Sequence, residues 1–168
     1  MKKHSAENER IKRKYFAYLK EAKRNSEPTV DAAAKAFSRF EIYTKYRDFK
    51  RFHIEQAIGF KKHLAGQKGQ RSGKQLSKAT MHATLTQLKR FFLWLAGQPG
   101  YKSRLQYSDA EYFNLSEKDT RVATARREQK VPTMKQIKYV INTMPVNTEI
   151  ERRNRALVAF TLVTGARD

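Results

Sequence analysis

Met81, Leu85, Leu88, Phe92 and Leu95 recur at steps of four, three, four and three residues. Only an α-helix brings such positions onto one face. A helix with one apolar side must bury it, so this stripe dictates that other elements pack around it. The same period runs through the flanking sequence. Ile11, Tyr15, Tyr18 and Ala22 predict a helix over residues 6–24, and Val30, Ala33, Ala34, Phe37 and Phe40 predict a second. Pro28 suits the first turn of that second helix, with Ser26 or Thr29 as its cap. A third, over residues 52–65, is expected to bury Ile54, Ala57, Ile58 and Leu64. The helix of the first stripe opens at Leu76 or Ser77 and closes at "GQPG", residues 97–100. No alternating apolar–polar run marks a strand, and the predicted fold class is all-α.

Beyond residue 100 the pattern weakens. "SDAEYFNL" predicts a short helix and "SEKDTRVATARREQK" another, and because residues 116–130 are polar, charged and poor in groups to bury, this second segment is expected to serve as an interdomain linker. Met134, Ile137, Val140, Ile141 and Met144 then form a fresh amphipathic stripe with Thr133 at its start. In the last predicted helix Ala159, Phe160, Leu162 and Val163 read as a buried end. Gly165 follows where a helix C-terminus favours the left-handed conformation. The expected organisation is a domain of four to five helices over 1–115, a basic linker over 116–130, and two helices over 131–168. Two helices are too few to form a domain of their own.

Charge narrows the partner. Thirty-six Lys and Arg face 16 Asp and Glu, a net charge of +20. Between Glu55 and Asp109 there is no acidic residue, while Lys61, Lys62, Lys68, Arg71, Lys74, Lys78, Lys89, Arg90, Lys102 and Arg104 all fall in that window. Such a field attracts a polyanion and gains from the release of its condensed counterions. Double-stranded DNA is the expected partner, with a merely solvated basic surface as the plain alternative. No cysteine occurs, which removes disulfides, thiolate metal sites and thiol chemistry and suits a reducing cytosol. No apolar run is long enough to span a bilayer, and the N-terminus lacks the apolar core of a secretory signal. The expectation is a cytoplasmic, DNA-associated chain with no membrane and no small-molecule substrate.

One flank of the best-defined helix carries Gln75, Lys78, His82, Thr86 and Lys89 at helical spacing, with Lys74 and Arg90 adjoining. Lysines neutralise phosphates, and Gln, Thr and His reach base edges or backbone oxygens in a major groove. Arg126, Arg127 and Lys130 in the linker form a second basic cluster, with Arg121 before them. The interspersed acids there leave ordinary ion pairing equally open. "GQRSGK" lacks the first glycine and the final Ser or Thr of a phosphate-binding loop. His4, His53, His63 and His82 have no ligand spacing, so no metal and no cofactor are expected. Arg167 follows Thr-Gly-Ala just past a helix end. Its fork could meet a phosphate bidentately or simply complement the helix terminus.

"LSKATMHATLTQLKRFFLWLAGQPG" (76–100), "KVPTMKQIKYVINTMP" (130–145) and "RNRALVAFTLVTGARD" (153–168) together resemble the tyrosine recombinases of the phage-integrase family. The resemblance runs from about Thr29 onward. It implies a SAM-like helical core-binding domain, then the first two helices of a truncated catalytic domain. It further implies a clamp closed around duplex DNA, strand cleavage through a 3'-phosphotyrosine without metal or cofactor, and a tetramer in the full-length relatives. In the Thr-Gly-x-Arg motif, Arg167 corresponds to the family's first catalytic arginine. The family's later motifs, including the nucleophilic tyrosine, have no counterpart here, so the chain is expected to be an N-terminal portion that binds DNA without cutting it. A stand-alone helical DNA-binding regulator or decoy is the alternative, and an RNA-binding protein a third.

Overall fold

The computed structural model describes residues 4–68, 73–126 and 131–165. Among them the regular elements are helices and no strand occurs, the closest approach being an isolated antiparallel bridge between Lys68 and Gln75. The chain divides into two compact units, Met1–Ala125 and Arg126–Asp168.

The first unit opens with α1 (Ala6–Ala17), whose N-cap Ser5 accepts from the Asn8 amide. α1 runs directly into a π-helical stretch, Tyr18–Ala22. α2 (Glu27–Tyr43) carries Pro28 in its first turn after N-cap Ser26. A 3-10 turn, Phe49–Arg51, leads to α3 (Ile54–Gly66). Then come α4 (Lys78–Ala96), a 3-10 stretch over Tyr107–Phe113, and α5 (Glu117–Thr124). Ser77 caps α4 by accepting from the Thr80 amide, and Met81, Leu85, Leu88, Phe92 and Leu95 are all buried, as their spacing requires. α4 packs against α2, α3, α5 and the Tyr107–Phe113 stretch and is the hub of the unit.

Aromatic rings fill the space around that hub. The Phe40 ring lies 5.1 Å from Phe60, 5.7 Å from Phe92, 5.8 Å from Phe113, 6.3 Å from Phe52 and 6.5 Å from Phe49. These are offset and edge-to-face spacings that favour aromatic pairs. On α3 the inward side is Ala57, Phe60 and Leu64. Ile58, expected inside, is exposed, because the Phe60 side of the helix faces Phe40 and Ile58 lies off it.

A buried polar network ties α1 to the far end of α2. Asn8 donates from Nδ2 to Glu41 Oε1 (3.1 Å) and to the Arg47 carbonyl (3.1 Å), and its Oδ1 accepts from the Phe49 amide (3.0 Å). Lys12 Nζ donates to Glu41 Oε2 and to Glu9 Oε1, both at 2.6 Å. Lys45 and Tyr46 sit in the left-handed region at φ 56° and 59°, a conformation that costs a non-glycine residue about 1–2 kcal/mol. The bonds from Asn8 to Arg47 and Phe49 hold the chain in that turn.

α5 falls where the sequence predicts a short helix acting as an interdomain linker; the helix is there, but it packs on α4 instead of linking domains. It has no buried residue and docks in part through charge, Asp119 reaching Lys78 at 3.0 Å. That is why its lack of apolar groups reads as linker.

The second unit contains α6 (Met134–Thr143) and α7 (Glu149–Thr164). Each starts with a capping box, Thr133 with Gln136 and Thr148 with Glu151. Gly165 closes α7 at φ 63° with its amide on the Thr161 carbonyl. Ile137 of α6 faces the same depression as Leu157, Val158 and Leu162 of α7. Phe160 and Val163, expected to be buried, are 61% and 85% exposed. Two helices present only one packing face to each other, and these side chains lie off it.

Truncating the ring hub, Phe40→Ala, is expected to cost about 3–5 kcal/mol, against at most ~0.5 kcal/mol for Ile42→Ala at an exposed position. Urea unfolding followed by circular dichroism checks this, and a Phe40→Ala loss no larger than that of Ile42→Ala would contradict it. A second expectation concerns alkaline pH. Burial pushes Tyr15 and Tyr101 up from 10.0 to about 12. Burial alone would lower Lys12 from 10.5, but its bonds to Glu41 and Glu9 more than reverse that. All three hold their protons more tightly folded than unfolded, so the stability they contribute is complete below the unfolded values and is lost as pH rises through the folded ones. Unfolding free energy should therefore fall between pH 10.0 and about 12, and a constant value there would contradict the assignment.

Candidate nucleic-acid interface

The acid-free stretch of sequence folds into most of α3, all of α4 and the turn after it. α3 and α4 pack side by side, so their cations share a neighbourhood. Lys61 donates to the Asn114 carbonyl at 3.0 Å, and Lys89 donates to Asn114 Oδ1 at 3.1 Å. Lys61, Lys62 and Lys78 line one shallow depression of about 250 Å³ together with Asn114 and Asp119. Next to it, His82, Thr86 and Lys89 line a cleft of about 460 Å³ whose other wall is Glu117, Thr120 and Arg121 of α5.

Helical spacing thus brings Lys78, His82, Thr86 and Lys89 to one side, as the sequence reading places them, and α5 is docked along that side. Its neighbourhood supplies the counter-charges. Lys78 pairs with Asp119 at 3.0 Å, and Lys89 pairs with Glu111 at 2.8 Å. The Lys89 hydrogen bond, helped by Asn114, holds the Glu111 carboxyl below its ordinary range. Lys62 has no carboxylate within salt-bridge distance among the described residues. Lys74 and Gln75 are exposed just before α4, where the Lys68–Gln75 bridge and the Leu76 amide on the Gln67 carbonyl (3.0 Å) pin the ends of the preceding loop.

Arg90 does not join this side. One residue beyond Lys89 the helix has turned by about 100°, and Arg90 lines a different cavity with Tyr15 and Trp94. Arg126 is exposed at the first position of the second unit. Arg127, Lys130 and Arg167 lie outside the described residues.

Sequence reasoning leaves Lys61 and Lys62 unassigned although both lie in the acid-free window, and their helical neighbours are the available signal. It also misses Arg39, which donates from α2 to Thr84 of α4 at 2.8 Å. Nothing local in the sequence marks that pair, 45 residues apart. Among the described residues no cluster of three or more His, Asp or Glu could hold a metal ion, and no helix is long and apolar enough to cross a membrane.

Chemically, the α3–α4 side is a row of ammonium groups, of which those of Lys61, Lys78 and Lys89 now meet surface carboxylates and carbonyl oxygens. Exposed pairs of this kind contribute about 0–1 kcal/mol each. A phosphate oxygen is an equivalent partner for the same ammonium, with counterion release added. Comparisons of the chain with protein-family models, curated proteins and solved structures gave no match.

Proposed function

We propose that this chain binds duplex DNA as the core-binding part of a tyrosine recombinase, with the α3–α4 side as its contact surface. The observation that carries the reading is the gathering of Lys61, Lys62, Lys78 and Lys89, all from an acid-free stretch, around the Asn114 turn. Phosphates of one strand would take over the ammonium groups now held by Asp119 and Glu111. His82 and Thr86, between the two lysines on the same helix and lining the same cleft, would meet base edges or sugar oxygens. The Thr-Gly-Ala-Arg segment supports the family reading: α7 ends in a left-handed Gly165, the backbone that the motif's glycine allows. Arg167 two residues later is assigned the role of the first catalytic arginine on that resemblance alone. No residue of the sequence matches the family's nucleophilic tyrosine, so the activity proposed for this chain is binding.

Affinity for a duplex should fall linearly on a log–log plot against salt. Lys78→Ala with Lys89→Ala is expected to flatten the slope by roughly 0.9 for each phosphate that is no longer neutralised. Asp119→Asn with Glu111→Gln frees the same ammonium groups and is expected to raise affinity at fixed salt. Fluorescence anisotropy with a labelled duplex reads both. A slope unchanged by the lysine pair would overturn the assignment of this face.

A further inference from the structure

On the side of α4 away from α5, the end of α1, the π-helical stretch and α4 enclose a cavity of about 510 Å³. That is within the range of small-ligand sites. Its wall is aromatic. Trp94 lies 5.0 Å from Tyr15 and 5.8 Å from Tyr18 between ring centroids, the latter pair tilted by only 31°. Its rim is cationic. Lys23 Nζ stands 5.7 Å from the Tyr18 ring centroid, and Arg90 lines the same cavity. Neither cation has a carboxylate within salt-bridge distance among the described residues, although Lys20 and Arg24 nearby are paired.

Two features of the wall are not what packing alone requires. Tyr15 is only 1% exposed, and its hydroxyl makes no hydrogen bond to any described residue. A fully enclosed hydroxyl is usually satisfied, and among the described residues no fully enclosed side-chain polar atom lacks a partner. The Tyr15 hydroxyl therefore keeps a sliver of exposed surface, and Tyr15 is among the residues that line the cavity. Burial raises its pKa to about 12, partly offset by Arg90, so at neutral pH it is a donor. The backbone beside it is also unusual. α1 opens into π-helical winding at Tyr18–Ala22, and Arg24 then sits at φ 52°. Bulges of this kind re-aim side chains and are frequent at functional sites. Here the winding ends with the Lys23 amide on the Tyr18 carbonyl, which sets Lys23 beside the Tyr18 ring.

We infer that this cavity binds a nucleotide unit, its base against Trp94 and Tyr18 and its phosphate between Lys23 and Arg90. A flat π-system suits the aromatic wall. A guanidinium and an ammonium at the rim select an anion and repel a cationic ligand. Gln87, an amide on the same wall, can donate to and accept from a base edge. The ligand is either a free mononucleotide or a nucleotide of a single strand, since both present the same base and phosphate. The inference is independent of the duplex-binding reading, because none of these residues lies on the Lys78–Lys89 side.

Trp94 is the only tryptophan of the chain, so its fluorescence reports this cavity directly. The full chain is titrated with dAMP, with deoxyadenosine, with inorganic phosphate and with a single-stranded oligodeoxyadenylate. Saturable quenching by dAMP is expected, with deoxyadenosine at least about tenfold weaker and Arg90→Ala weakening dAMP by a similar factor, as for loss of one charge-assisted bond. Lys78→Ala with Lys89→Ala should leave the dAMP titration unchanged. Oligodeoxyadenylate binding tighter than dAMP would identify a strand as the source, and equal or weaker binding a free nucleotide. Absence of saturable quenching by both dAMP and the oligonucleotide would overturn the inference, as would dAMP binding indifferent to Arg90→Ala and to Lys23→Ala.

Discussion

Phe40 meets phenylalanine rings from five other positions, spread from the turn after α2 to the stretch after α4: Phe49, Phe52, Phe60, Phe92 and Phe113. A ring cluster of this size is directional as well as apolar, because edge-to-face and tilted contacts fix angles that aliphatic packing leaves loose. It therefore positions more than a core. Phe92 fixes the rotation of α4 about its own axis, and with it the directions in which Lys78, His82, Thr86 and Lys89 on one flank and Arg90 on another leave the helix. Phe113 anchors the stretch whose next residue, Asn114, holds both Lys61 and Lys89. The charged surface is in this sense a consequence of the aromatic interior.

The same dependence explains what can be read from the sequence. Met81, Leu85, Leu88, Phe92 and Leu95 announce α4 because all the information lies within one helix, and Ser77, Thr133 and Gly165 announce helix ends for the same reason. What escapes is long-range. Ile58 and Phe60 are both apolar, and only the distant Phe40 ring decides which of them faces inward. Asn8 looks like an ordinary helix-surface residue, yet it is fully buried against Glu41, 33 residues away. The strained turn at Lys45 and Tyr46 depends on that same side chain. The docking of α5, though not the helix itself, escapes because its attachment to α4 includes an ion pair, and periodicity registers apolar burial alone.

The basic flank shows how far composition reaches. An acid-free window marks a concentration of cations, but it does not say which side of a helix is covered. Asp119 and Glu111 lie outside the window in sequence and beside its lysines in space. Those carboxylates hold the lysines only modestly, since exposed ion pairs contribute little, and any polyanion proposed for this face would have to displace them. On the other flank Arg90 and Lys23 have no such competitor among the described residues, and they border an aromatic cavity in place of an open groove. One helix thus presents two chemically different cationic surfaces, separated by its rotation.

We propose that duplex DNA meets this chain on the α3–α4 side. This is tested most directly by recording backbone amide chemical shifts while a short duplex is titrated in. The account predicts that the largest changes fall on Lys61, Lys62, Lys78, His82, Thr86 and Lys89 and on α5 as its carboxylates are displaced. Changes confined to α1 and α2, with that side unmoved at saturating duplex, would contradict it.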